Sequence, residues 1–305
     1  MDFTSLRVFT QVAHSASFSA AAERLFLTQP AVSKRIAGLE AELSTPLFDR
    51  IGRQILLTEA GRRLLPRAEQ VLEELADIRR ELSHLSDQTS GTLSMATSHH
   101  IGLHRMPPIL RRYVDRYPDV ELDIRFMESE KACQAVAHGE LEMGVVTLPL
   151  APFPQLEQIL LWNDPLSFVA SRDHNLSTQG PLSPESLLTQ PAVLPTKGTY
   201  TRTLLEQILS PLELDVQCNM ATDYLETLKM MTSIGLGWSL LPATMLDDEL
   251  VELEVKGISL TRSLGVVSHS GRTLSNAAHA MLNLLSEAAD GVTETAPPPP
   301  TLYYE

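Results

Sequence analysis

SFSAAAERLFLTQPAVSKRIAGLEAELSTPLFDR, residues 17–50, strings alanine, glutamine, serine and lysine along short helical segments. Ser17 and Ser19 carry hydroxyls suited to capping a helix over residues 20–26, and the alanines of that helix allow a neighbour to approach closely. After a short turn, Thr28 or Gln29 caps a third helix with Pro30 in its first turn, where a missing N–H costs nothing. Upstream, Phe3, Leu6, Phe9 and Val12 or Ala13 recur at helical spacing and predict a first helix from Asp2 to His14. Three short helices in so little chain make a helix-turn-helix arrangement.

On the third helix Val32, Ile36 and Leu39 lie within about 60° of one another and form the buried stripe. Pro30, Ser33, Lys34 and Ala37 then project from the opposite face, with Gln29 at its exposed N-terminal edge. Small and polar outward residues let a helix sink into a major groove, although the angles alone equally describe the solvated face of any small bundle. LFDRIGRQILLT, residues 47–58, then reads as a two-stranded wing turning at Gly52, with Arg50 and Arg53 near a tip that can reach phosphates or a minor groove.

From Glu59 to Leu85 a long helix is predicted, with Pro66 its one internal proline. Ala68, Val71, Leu75, Ile78, Leu82 and Leu85 alternate spacings of three and four, the seam of a two-stranded coiled coil, so a dimer is expected. A dimer of helix-turn-helix units reads two half-sites. The charge is placed accordingly. Residues 1–67 hold nine Lys/Arg against six Asp/Glu, within a chain of 305 residues whose formal net charge is -14. A mildly basic head can meet nucleic acid while an acidic body is repelled from phosphates.

SDQTSGT, residues 86–92, marks a hinge. Strands at 92–97, 120–126 and 143–147 then alternate with helices at 103–117 and 129–138, and a second such set follows. That set has strands at 191–195, 216–221 and 237–241 and helices at 200–209 and 224–233, before a strand at 264–270 and a helix at 274–287 close the folded region. Alternation of this kind argues for parallel α/β sheets, here two lobes with a cleft between them. The expected divisions are 1–58, 59–88 and 91–290, with lobe 1 at 91–161 and 267–290, lobe 2 at 162–266, and a proline-rich disordered tail at 291–305.

Open α/β sheets bind ligands at strand ends, which singles out Thr97 and Ser98, Thr147, Thr196, Thr199 and Thr201, and Thr222 as effector contacts. Each could equally serve only as a helix cap. His99, His100 and His104 cluster, and His100 with His104 has the i, i+4 spacing of a metal pair. No cysteine or acidic third ligand lies near them in sequence, so surface or cleft-lining histidines are expected, with no metal and no cofactor. Cys133 and Cys218, the two cysteines of the chain, fall in different lobes, which argues against a redox switch made by a bond between them. Gly235 and Gly237 lack the third glycine of a dinucleotide loop, and no nucleophile elbow or phosphate loop appears, which leaves an enzyme without a catalytic constellation. No run reaches the roughly 18 apolar residues of a membrane span and no export signal opens the chain, so a cytoplasmic protein is expected.

FxxVAxSxSFSxAAxxLFLTQPAVSxxIxxLExELxxxLFxRxxRxxxLTxAG, residues 9–61, together with GLGWSLLP at 235–242, resembles the LysR-type transcriptional regulators over residues 2–290. The resemblance implies a fold of class α + α/β: an N-terminal winged helix-turn-helix, a long dimerising linker helix, and a C-terminal two-lobed α/β domain resembling periplasmic binding proteins. It also implies a tetramer that binds promoter DNA, takes a small-molecule effector in its cleft and changes contacts with RNA polymerase. Carried onto this chain, DNA contacts fall on Gln29, Pro30, Ser33 and Lys34, with Arg53 on the wing. Position 34 is lysine where many relatives have arginine, which removes the planar fork that reads guanine bidentately.

Overall fold

The computed structural model describes residues 1–51, 54–83, 89–212 and 216–289, which belong to two compact units, Met1–Leu85 and Ser86–Glu305. Arg53 of the expected wing tip, Leu85 of the expected seam and the tail 291–305 lie outside the described residues, as does the side chain of Leu82.

In the first unit, α1 (Phe3–Ser15) is capped by the Asp2 carboxylate, which accepts a 2.6 Å hydrogen bond from the Ser5 N–H. Ser17 caps α2 (Phe18–Arg24), so that helix starts two residues before the expected position. The third helix, α3 (Gln29–Leu43), carries Pro30 in its first turn, and Thr28 stands at its cap without a side-chain bond. Val32, Ile36 and Leu39 are buried as their spacing requires, in one core with Phe9, Phe18, Ala21 and Ala22. The Phe48 ring joins them, 5.4 Å from Phe9 and 5.9 Å from Phe18, at the foot of the antiparallel wing β1 (Phe48–Ile51) and β2 (Gln54–Leu57). Glu40 fixes the wing to α3 by accepting from the N–H groups of Leu47 and Phe48 at 2.7 and 3.2 Å. Thr58 caps α4 (Glu59–Ser83), accepting from Gly61 N–H at 3.0 Å and donating to the Pro46 carbonyl at 2.7 Å. Gly61 has to be glycine here, because a Cβ would stand 2.3 Å from the Leu47 carbonyl oxygen. Along α4, Ala68 is buried in the head core, whereas Val71 and Ile78 are 40% and 48% exposed. The seam is therefore covered at its first residue, half-buried at Leu75 and exposed at Val71 and Ile78.

The second unit contains β3 (Gly91–Thr97), α5 (His99–His104), α6 (Met106–Arg116), β4 (Val120–Phe126), α7 (Ser129–Ala137), β5 (Met143–Thr147) and β6 (Leu156–Ser171). It continues with α8 (Pro184–Leu188), β7 (Ala192–Leu194), α9 (Tyr200–Leu209), β8 (Cys218–Ala221), α10 (Leu225–Ser233), β9 (Ser239–Pro242), β10 (Leu250–Leu253), β11 (Leu260–His269) and α11 (Asn276–Glu287). The expected single helix at 103–117 is two helices. Pro107 and Pro108 cannot sit inside a helix, so the chain restarts with them in the first turn of α6.

The expectation of wholly parallel sheets is also corrected. β3 runs parallel to β4 and β5, and β7 parallel to β8, but the two longest strands, β6 and β11, pair antiparallel with each other. Each also pairs antiparallel with further strands, β11 with β5 and β6 with β9 and β10. β6 escapes a sequence reading because Asn163-Asp164-Pro165 looks like a turn. Along β6, Leu161 and Trp162 pack in one core with α6 and α11, while Leu166 and Phe168 pack in a second core with α9 and Trp238. On β11 the change falls between Leu260 and Leu264. Both strands thus run through two lobes.

Candidate DNA-reading helix and effector cleft

On α3 the face opposite the buried stripe presents Gln29, Pro30 and Lys34 to solvent, with Ser33 half-buried beneath them. Gln29 Nε2 donates to Ser33 Oγ at 3.0 Å, so two of the expected base-reading groups hold one another before any duplex arrives. Just ahead of the helix, Phe26 sits in the left-handed region at φ 53° with its ring 96% exposed. The expected helix over residues 20–26 included Phe26, but α2 ends at Arg24, which leaves this aromatic ring bare at the corner before α3.

In the second unit a cleft of about 590 Å³, counted with its open mouth, lies between the lobes. From the first lobe it is lined by Ser98, His99 and His100 at the start of α5, by residues 127–130 at the start of α7, and by Thr147 at the end of β5. From the second lobe come Pro195, Thr199–Thr201 at the start of α9, and Asp223–Leu225 at the start of α10, with Arg262 of β11 completing the wall. Of the hydroxyl residues singled out from sequence, the structure brings Ser98, Thr147, Thr199 and Thr201 together here. Thr97 is fully buried with its hydroxyl toward the Ser98 carbonyl, and Thr196 and Thr222 do not line the cleft. Thr222 instead accepts a 3.4 Å hydrogen bond from Tyr224 N–H.

Arg262 is the residue that sequence reasoning missed. Its Nε donates to Asp164 Oδ2 at 2.6 Å and its Nη1 to Thr201 Oγ1 at 3.2 Å, while Nη2 and Asp164 Oδ1 are buried without a hydrogen-bond partner. The pair is buried, with side-chain exposures of 6% and 1%, and its partners stand opposite each other in the β6–β11 register. Only that register, absent from any local pattern, makes them neighbours. Beside it, burial and then the Arg262 charge push His100 down to about 4, so its imidazole is neutral. Glu130, raised chiefly by burial, accepts a hydrogen bond from Tyr200 N–H and so ties α7 of the first lobe to α9 of the second. Cys133 is buried and its thiol is pushed up to about 11 by desolvation, while Cys218 lies on β8 in the other lobe with its Sγ toward the Met220 carbonyl at 3.0 Å. A thiol held protonated is a poor nucleophile toward oxidants.

A helix-turn-helix head with an open reading face, joined in one chain to a two-lobed domain with a polar cleft, defines a ligand-responsive DNA-binding regulator. Residues 86–290 match the family model described as the LysR substrate binding domain, and residues 3–62 match the bacterial regulatory helix-turn-helix protein of the lysR family. The chain belongs to the LysR family of transcriptional regulators. It is 62% identical over 108 residues to an uncharacterised HTH-type transcriptional regulator of Azotobacter vinelandii, covering 35% of this chain and 75% of that one. It is 29% identical over 290 residues to the HTH-type regulator YfeR of Shigella flexneri, covering 94% of each. The fold is similar to that of a full-length OxyR variant from Pseudomonas aeruginosa, with a TM-score of 0.70 at 22% identity over 97% of this chain and 99% of that one. The protein is thus a DNA-binding transcriptional regulator with an effector-binding domain, not an enzyme.

The buried pair gives a direct prediction. Arg262→Met strands the Asp164 carboxylate and lowers stability of the second unit by about 3–5 kcal/mol, and adding Asp164→Leu recovers most of that loss. Urea unfolding followed by tryptophan fluorescence reads this unit alone, because both tryptophans, Trp162 and Trp238, lie in it. A single variant as stable as the parent would contradict the account.

Proposed function

We propose that Gln29, Pro30, Ser33 and Lys34 read base edges of promoter DNA in the major groove, with Arg53 of the wing on the backbone or minor groove. What carries this reading is the open face of α3, in which every residue that helical spacing turns away from the core is small or polar and the stripe behind it is fully packed. Two copies pair along α4, where Val71 and Ile78 are exposed and Leu75 is half-buried beyond the part that its own head covers. Paired dimers form the tetramer, and a change of effector state alters contacts with RNA polymerase. The divisions that go with this reading are a head at 1–58, a pairing helix at 59–88, an effector domain at 91–290 whose lobes exchange near Asp164 and Arg262, and a tail at 291–305. Among the described residues no helix is long and apolar enough to cross a membrane, which agrees with work in the cytoplasm.

The effector we assign to the cleft is a small polar molecule held by the hydroxyls of Ser98, Thr147, Thr199 and Thr201. Arg262 is already neutralised by Asp164 and Glu128 is paired with Lys131, whereas Glu130 and Asp223 add carboxylates to the lining. That balance favours a ligand rich in hydrogen-bond donors over a dianion. By touching both lobes such a ligand favours whichever lobe spacing fits it, and that differential affinity is the whole of its regulatory leverage. In a thermal-shift panel of polyols, amino acids and dicarboxylates, the donor-rich members raise the Tm and the dicarboxylates do not; the reverse ranking would reject the assignment.

Two variants test the rest. Ser33→Arg crowds the groove-facing surface and weakens binding at the native operator by roughly a hundredfold or more with thermal unfolding unchanged, and persistent footprint protection would count against α3 as the reader. Leu75→Glu sets like charges against each other in the paired helices, so sedimentation shifts toward the monomer; an unaltered profile would remove α4 as the pairing element.

A further inference from the structure

Among the described residues, one group of His, Cys, Asp or Glu side chains converges at metal-ligand spacing: His100, His104 and Glu226, with one ligand atom of each within 4.8 Å of the others. The two histidines are one helical turn apart on α5 of the first lobe, with ring centroids 4.7 Å apart, and Glu226 stands in the first turn of α10 in the second lobe. The sequence pair lacked an acidic third ligand because Glu226 is more than a hundred residues away along the chain. The fold supplies it.

The Glu226 Oε1 atom lies 3.1 Å from His104 Nε2 and 3.6 Å from His100 Nδ1. Nitrogen and oxygen ligands about 2.0–2.2 Å from a tetrahedral Zn²⁺ stand about 3.3–3.6 Å from one another, so both separations are close to edges of such a site. A simple hydrogen bond accounts for the His104–Glu226 contact but not for His100. Its side chain is 6% exposed, and its Nδ1 is buried, without a hydrogen-bond partner, beyond bonding reach of the same carboxylate oxygen. A buried ring nitrogen with nothing to bond to, aimed at a carboxylate and a second imidazole, needs an occupant between them. His104, half exposed, leaves the site open to solvent and free to turn its ring inward.

We propose that His100, His104 and Glu226 bind a divalent transition-metal ion of the Zn²⁺ type, which clamps α5 of one lobe to α10 of the other beside the effector cleft. Two imidazoles and one carboxylate select such ions over Mg²⁺ or Ca²⁺, and three protein ligands leave a coordination position for water or a ligand group. His100 lines the cleft itself, as do Tyr224 and Leu225 next to Glu226, so the ion sets the separation of the walls that an effector must span. The site stands on its own ligands and does not depend on which effector the cleft takes.

The test uses the full-length protein, freed of metal by dialysis against a chelator and titrated calorimetrically with Zn²⁺, alongside Glu226→Gln and His104→Gln. Both substitutions fall on solvent-reached side chains and keep a polar group able to hydrogen-bond, so far-UV circular dichroism stays unchanged. One Zn²⁺ per chain is expected for the parent, with affinity at least about tenfold weaker in each variant. Co²⁺ in place of Zn²⁺ gives the parent a visible ligand-field spectrum that both variants lose. Substoichiometric Zn²⁺, equal affinity in Glu226→Gln, or a thiolate charge-transfer band that places the ion on a cysteine would each overturn the proposal.

Discussion

Asp164 and Arg262 face each other across the β6–β11 ladder at the place where both strands leave one apolar core and enter another. An ion pair buried this deeply gives up most of its hydration, so it is retained less for net stability than for what it forbids. A slip of one residue in register would put a carboxylate or a guanidinium alone among apolar side chains, a far costlier arrangement than the native one. The pair therefore fixes which residues of the two strands are opposite. Close by, the register shifts between Leu264 and Gly265, and a Cβ on Gly265 would stand 2.1 Å from the Ile159 carbonyl oxygen. The crossing is thus held on one side by charge and on the other by the lack of a side chain. Arg262 on β11 and the starts of α7, α9 and α10, helices that pack on these two strands, supply much of the cleft lining.

The parts legible in the sequence are those governed by local rules. Three apolar positions on α3 gave the buried stripe, the serine at 17 gave a cap, and the residues between the stripe positions gave the exposed face. Strand ends pointed to Ser98, Thr147, Thr199 and Thr201 because ligands collect where parallel strands stop. What stayed hidden depends on pairing between distant segments. β6 carries a turn-like Asn-Asp-Pro in its middle, and that stretch is strand where β11 pairs with it. Arg262 looks like any surface arginine until the register sets it against Asp164, and Glu226 shows no tie to the histidines until α10 is folded over α5. Thr97 illustrates the opposite error: it ends the right strand, but the pleat turns its side chain inward, where its methyl would meet a Cβ on Gly102 at 3.0 Å.

The head shows how conventional signals combine into a rigid object. Glu40 uses its carboxylate on two backbone N–H groups of the wing, and Thr58 bridges the wing's foot to the start of α4. These side chains connect elements that have few apolar residues of their own. If α3 reads DNA as proposed, a helix fixed in this way would lose little freedom on binding, so its exposed face could stay small and polar without a large cost in affinity.

Among the described residues the lobes are joined around the cleft by Glu130 with the Tyr200 N–H, by Arg262 of the strand crossing with Thr201, by Glu226 with the two histidines, and by the His99 and Tyr224 rings, 4.8 Å apart. They differ in what they ask of a ligand. The first is made by a backbone donor at the start of α9, and Tyr200 also packs its ring against the first-lobe core, so this contact is doubly held. The second belongs to the strand crossing and moves only if the ladder does. The third joins α5 to α10 through His104 and Glu226, which solvent reaches, and leaves the buried His100 Nδ1 unsatisfied beside them. A two-lobed sensor needs one adjustable contact among rigid ones, because a change of lobe spacing has to be taken up somewhere. The histidine–glutamate contact can change length without breaking a backbone ladder or opening an apolar core, so an ion held there, as proposed above, would act on the separation of the cleft walls.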